Sequence, residues 1–152
     1  MAKLPHAESF RDLLVYQRAR QLTGEVFRLT KTFPREEMYS LTDQIRRSSR
    51  SVGAQIAEAW AKRRYEKHFV SKLTDSDGEQ METQHWIEVA LDCGYIPGEV
   101  AAGLRRQCEE IGRLLAGMRA KSAAFCGEPK HVLREVPPEY LMAAALPDES
   151  DH

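Results

Sequence analysis

Leu41-Thr42-Asp43-Gln44-Ile45-Arg46-Arg47-Ser48-Ser49-Arg50-Ser51-Val52-Gly53-Ala54-Gln55-Ile56-Ala57-Glu58-Ala59-Trp60 is the stretch that decides the fold. Leu41, Ile45, Val52, Ile56 and Ala59 follow one another at spacings of four, seven, four and three, so a helix gathers them on one face. A second face carries Arg46, Arg50 and, beyond the quoted stretch, Arg64, with the small residues Ala54, Ala57 and Ala61 between them. The first face is built to pack. The second points to an anionic partner or a subunit contact.

Three further segments repeat the helical period. From Ser9 to Lys31 the apolar residues Val15, Ala19, Leu22, Val26 and Leu29, continued by Phe33, alternate spacings of four and three. Ser9 reads as the N-cap of that helix with Asp12 as its capping partner, and Pro34 ends it. The quoted helix extends over about Glu36 to Lys62. A third spans about Tyr65 to Cys93, with Phe69, Leu73, Ser76, Gln80, Thr83, Ile87 and Ala90 inward, Gly94 at the residue after its end and Pro97 beyond. The fourth spans about Gly98 to Phe125, with Ala101, Leu104, Cys108, Ile111, Leu115, Met118, Ser122 and Phe125 inward. No window alternates apolar and polar residues as a strand does. Four amphipathic helices with short connections predict an all-α, antiparallel up-down-up-down bundle.

Composition sets the bounds. With 152 residues, 42% hydrophobic and 30% charged, the chain suits one domain with a real core and is not disordered by composition. A net charge of −1 leaves nucleic-acid attraction to a local patch. Cys93, Cys108 and Cys126 form no Cys-x-x-Cys pair, which fits a reducing cytoplasm and argues against a disulfide framework or zinc site. Met1 to Phe10 lacks the apolar run of a signal peptide, and no stretch is apolar enough to span a bilayer. The expected organisation is an N-terminal extension over 1–8, the bundle over 9–126, and a flexible, Pro-containing acidic tail over 127–152.

Phe10-x-x-Leu13, Phe33-Pro34-x-x-Glu37, Leu41-Thr42-x-Gln44-Ile45-Arg46-Arg47-Ser48, Ser51-Val52, Ile56-Ala57-Glu58, Glu82-Thr83-Gln84 and Gly94-Tyr95 together resemble the bacterial "four helix bundle protein" family. Its founding members are encoded in intervening sequences within large-subunit ribosomal RNA genes. The resemblance covers about residues 10–125. It implies a left-handed antiparallel bundle and a ring-like homopentamer. A related protein, the accessory factor of diversity-generating retroelements, binds nucleic acid and a reverse transcriptase through a basic surface. This chain departs from the family pattern at Gln55, Ala59 and the acidic run Asp75-Ser76-Asp77-Gly78-Glu79.

Four constellations bear on function. Arg46, Arg47, Arg50, Arg63 and Arg64, with Lys62 and Lys67, form a basic cluster that can clamp phosphates of RNA or DNA; its bland reading is a solvated face paired with the acids of the third helix. Ala54, Ala57, Trp60 and Ala61 form a ridge for a homo-oligomer contact, with Trp60 as the aromatic anchor. Glu82-x-x-His85 has di-iron spacing, but the other helices do not complete a four-carboxylate, two-His set, so it is read as structural and no metal or cofactor is assigned. Gln44, Ser48, Gln55, Ser76, Gln80 and Thr83 form a polar strip on packing faces, read as a buried layer that fixes register. No nucleophile–base pair or phosphate loop is evident, and Gly112 and Gly117 read as close-packing positions in the fourth helix. The expectation is a non-enzymatic homo-oligomer that binds nucleic acid weakly; the alternative is a protein-interaction scaffold.

Overall fold

The computed structural model describes residues 7–127 and 136–142. Four helices account for most of them: α1 (Leu14–Thr30), α2 (Leu41–Ala61), α3 (Glu66–Asp92) and α4 (Gly98–Ala120). Each helix packs on its chain neighbours, and α4 returns to α1 to close the bundle. The short turns between helices force neighbours to run antiparallel.

The predicted packing faces are the observed ones. Leu41, Ile45, Val52, Ile56 and Ala59 of α2 are all buried, and so is every inward position named for α3 and α4. In α1, Val15, Ala19, Leu22 and Val26 are buried; Leu29 lies at the edge and Thr30 takes the last inward place. The Thr30 hydroxyl satisfies itself by donating to the Val26 carbonyl at 2.8 Å.

The helix ends differ from the sequence reading in a consistent way: the outer turn of three segments is 3-10. These turns are Phe10–Asp12, Arg35–Glu37 and Ser122–Ala124. Ser9 does form a capping box with Asp12, but on the short turn. Leu13 then adopts an extended conformation (φ −77°, ψ 131°), and α1 starts only at Leu14. Glu37 lies outside α2 and caps it, its carboxylate accepting the Leu41 N–H at 3.0 Å. The other Glu37 oxygen accepts the Tyr95 hydroxyl at 3.1 Å, and Phe33 packs on the Tyr95 ring with centroids 5.5 Å apart. Thus the α1–α2 and α3–α4 connections are tied together at one end of the bundle. Gly94, at φ +77°, ends α3 as expected: its N–H reaches the Leu91 carbonyl, and the Tyr95 N–H reaches Ala90.

The polar strip is a packed layer. Thr83 donates to the Ser48 hydroxyl at 2.8 Å, and Ser76 donates to the Val52 carbonyl at 2.9 Å, so α2 and α3 are pinned in register. Gln80 pairs with Asp77 and Gln84 along α3, and half-buried Gln55 accepts from Lys72. Among the described residues no buried side-chain N or O lacks a partner.

Residues 136–142 differ from the picture of a tail without fixed partners. Val136, Tyr140 and Leu141 are buried, a 3-10 turn forms at Pro138–Tyr140, and Leu141 makes a bridge with Leu13. The Met142 N–H reaches the Asp12 carbonyl at 3.1 Å. Apolar burial beside Phe125 holds the segment, with Tyr140 edge-on to that ring, and Lys121 pairs with Glu139 at 2.7 Å. The rest of the expected tail, and residues 1–6 of the N-terminal extension, lie outside the described residues.

Candidate nucleic-acid interface

The outer face of α1 carries Arg20, Gly24, Phe27, Arg28 and Lys31 at the four-three spacing of a stripe, opposite its packing face. The neighbouring face of α2 carries Arg46, Arg50, Gly53 and Ala54. Antiparallel packing sets the start of α2 beside the end of α1. Arg46 and Arg50 therefore come together with Lys31 around one exposed ring, Phe27: Lys31 Nζ lies 4.7 Å from its centroid, and the Arg46 and Arg50 guanidinium carbons 4.9 and 5.9 Å. The phenyl quadrupole attracts each cation and offsets part of their mutual repulsion. Arg46 is also fixed through Nε, which donates to the Thr30 hydroxyl at 2.7 Å; its two terminal nitrogens remain for other acceptors.

From this cluster a groove of about 330 Å³ runs along the α1–α2 seam, floored by Ala19, Gly24, Gly53 and Ala54 and flanked by Arg20 and Arg50. Small residues explain its existence. A β-carbon at Gly53 would touch Tyr16 and Ala19 at 3.7 and 3.8 Å, so the helices approach closely there. At Gly24 a β-carbon would meet Arg28 Nη1 at 3.2 Å, so the Arg28 head group lies over that glycine. Among the described residues, no Asp or Glu lines the groove. Ion pairs such as Arg18–Glu110, Lys72–Glu58, Arg105–Glu88, Arg119–Asp77 and Lys121–Glu139 involve none of the groove residues.

The five arginines named from the sequence do not form one patch. Arg46 and Arg50 belong to the α1–α2 groove. Arg47 faces α3 instead, lining a recess of about 120 Å³ with Gln44, Ser48, Ser51, Glu79 and Glu82. Burial raises the Glu79 carboxyl pKa, and neighbouring Glu82 raises it further, against the pull of Arg47. Arg47 thus matches the bland reading of a face paired with acids of α3. Arg63 and Arg64 lie past the end of α2, roughly 22 Å of helix beyond Arg46. Arg63 stacks on Trp60 at 3.5 Å and donates from Nε to the Trp60 carbonyl at 2.9 Å, while Arg64 lies 5.9 Å from the Tyr65 ring.

Of the ridge expected at a subunit contact, Ala54 and Ala61 are exposed and Ala57 is half-buried. Trp60, read from the sequence as the aromatic anchor of that contact, is buried within the bundle, with Arg63 over its ring. Glu82 accepts the Trp86 indole N–H at 3.4 Å, and His85 packs on the same ring at 4.7 Å. Among the described residues, no three His, Cys, Asp or Glu side chains converge as a metal site would need, and no helix is long and apolar enough to cross a membrane.

Sequence reasoning missed Arg20, Phe27, Arg28 and Lys31. Their four-three spacing on α1 was the available signal. The rotation that turns this stripe toward Arg46 and Arg50 is a property of the packed pair.

Residues 11–117 match the family described as 23S rRNA-intervening sequence protein. Among solved structures, the chain is similar to a protein of unknown function from the S23 ribosomal protein family of Bacteroides thetaiotaomicron. The two share 27% identity with a TM-score of 0.64, over 70% of this chain and 96% of that one. The docked segment 136–142 lies beyond the family match. No curated protein matches the chain.

Proposed function

The chain belongs to the 23S rRNA-intervening sequence protein family, and from its α1–α2 face we propose that it is a non-enzymatic, homo-oligomeric bundle that binds RNA or DNA weakly. One observation carries the reading: Arg20 and Arg50 flank a groove whose lining, among the described residues, holds no carboxylate, and Lys31 and Arg46 gather with Arg50 around Phe27 beside it, in a chain whose net charge is −1. Charge concentrated locally against the overall balance is the footprint of a polyanion site. Cations on two helices grip phosphates but offer little with which to read base edges, so binding is tolerant of sequence and steeply salt-dependent. Oligomerisation repeats the groove and converts weak single contacts into avidity. The support for an oligomer is the family resemblance, with a pentamer favoured, and the exposed Ala61 that lets another helix come close; Ala54 floors the groove instead.

The scaffold alternative draws on Tyr39 and Met38, which are 91% and 46% exposed on the α1–α2 connection. Fluorescence anisotropy with labelled RNA and DNA, at low and moderate salt, separates the two. Binding that weakens steeply with salt supports the nucleic-acid reading, and no binding at low salt leaves the scaffold. Light scattering tests the assembly: a compact monomer at high micromolar concentration removes the oligomer from the proposal.

A further inference from the structure

Phe27 stands out among the large hydrophobic side chains that the described residues leave exposed. It is 37% exposed and has three cations around one ring, whereas Tyr65 has Arg64 alone. Cation–π attraction accounts for the charges gathered at the ring, but it does not require that the ring stay accessible to solvent. An aromatic set between cations is the arrangement that accepts a base on its face and the flanking phosphates at its edges. The groove supports this. From Arg20 to Lys31 the cation-bearing face of α1 runs about 16 Å, a few nucleotides of backbone. Its floor is glycine and alanine between two helices whose axes pack about 8–10 Å apart, a furrow for one strand and not for two. Thr23, in the groove lining, already donates to the Ser49 carbonyl, so its hydroxyl is committed to the fold.

We infer that the α1–α2 face takes a single strand of nucleic acid along its groove, with one unpaired base laid on Phe27 beside the groove and the adjoining phosphates held by Lys31, Arg46 and Arg50. The inference rests on the reading that this face binds nucleic acid, and narrows it from polyanion to unpaired strand. In a duplex both faces of every internal base are covered by stacked neighbours, so a duplex can use the cations but not the ring.

The test is anisotropy on the full chain with labelled single-stranded RNA and DNA of one sequence, and with a duplex carrying the same number of phosphates. Phe27→Leu keeps an apolar side chain at an exposed position, and circular dichroism checks that the fold is kept. The expected result is tighter binding of either single strand than of the duplex. Phe27→Leu lowers single-strand affinity about fivefold or more and duplex affinity clearly less, and Phe27→Trp keeps the preference. Single strands binding Phe27→Leu as tightly as the original chain would overturn the base-on-ring inference while leaving a phosphate-gripping face in place. Equal loss for strand and duplex would also overturn it, because the ring would then act only by gathering the cations. No binding of any probe at low salt overturns both readings together.

Discussion

The Tyr140 hydroxyl occupies the space that a β-carbon on residue 117 would take, so the segment 136–142 as packed against α4 requires a glycine at position 117. Glycine inside a helix costs about 1 kcal/mol relative to alanine. Here that cost is offset by a docked segment that buries Val136, Tyr140 and Leu141.

Gly117→Ala is therefore expected to release residues 136–142, although alanine is the better helix former. Hydrogen exchange or limited proteolysis reads the release. Adding Tyr140→Phe should restore docking, because the nearest ring carbons stand 3.2 and 3.3 Å from the new β-carbon, a contact that a small shift relieves. Continued protection of the segment in Gly117→Ala alone would count against this packing.

The groove makes a contrast among arginines that the sequence treats alike. Arg46→Glu with Arg50→Glu should abolish nucleic-acid binding, and Lys31→Glu should weaken it. Arg47→Glu should have a small effect, because that side chain faces the Glu79–Glu82 recess. The salt dependence should flatten as cations are removed, by about one unit of log–log slope per lost phosphate contact. Anisotropy titrations over a salt series measure both, and equal losses in Arg47→Glu and Arg50→Glu would mean the face is misplaced.

The layer between α2 and α3 is expected to behave as a coupled pair. Thr83→Val keeps the side-chain shape but removes the hydroxyl that donates to Ser48 at 2.8 Å, at an expected cost of about 1–3 kcal/mol in denaturant unfolding. Ser48→Ala should cost less once Thr83 is already valine. Additive losses would show that the two hydroxyls act independently.

Thiol chemistry should divide by burial. Burial, and next the Glu109 charge, push the Cys108 pKa up to about 12; burial, and next Glu66, push Cys126 up to about 11 against the pull of Arg63. At pH 8 an alkylating reagent should therefore label exposed Cys93 and spare Cys108. Cys108 stays protonated in the folded chain above the value of 9.0 at which it ionises when unfolded. Its contribution to stability is thus full below pH 9 and is lost as pH rises toward 12. Mass spectrometry of the labelled chain, and a comparison with Cys108→Ala across that range, check both statements.

The packing faces were legible because burial repeats with the helix period: Leu41, Ile45, Val52 and Ile56, or Leu104, Ile111 and Leu115, announce themselves locally. The end of α3 was legible because only Gly94 tolerates its φ. What escaped was non-local. Leu13 leaves the helical path to meet Leu141, and nothing near Leu13 says so. Glu37 looks like a first-turn residue and instead caps α2 from outside while holding Tyr95. In the candidate site, Arg46 and Arg50 were read correctly as neighbours one turn apart. Their partners on α1 appear only when the two helices are rotated into contact, and Trp60 turned inward for the same reason.

The bridge between Leu13 and Leu141 also bears on the order of synthesis. Leu13 emerges early, yet the residue that covers it follows 128 positions later, on the order of ten seconds of translation. Until then the entry to α1 is an open seam on a growing chain, and a late segment closes over an early one.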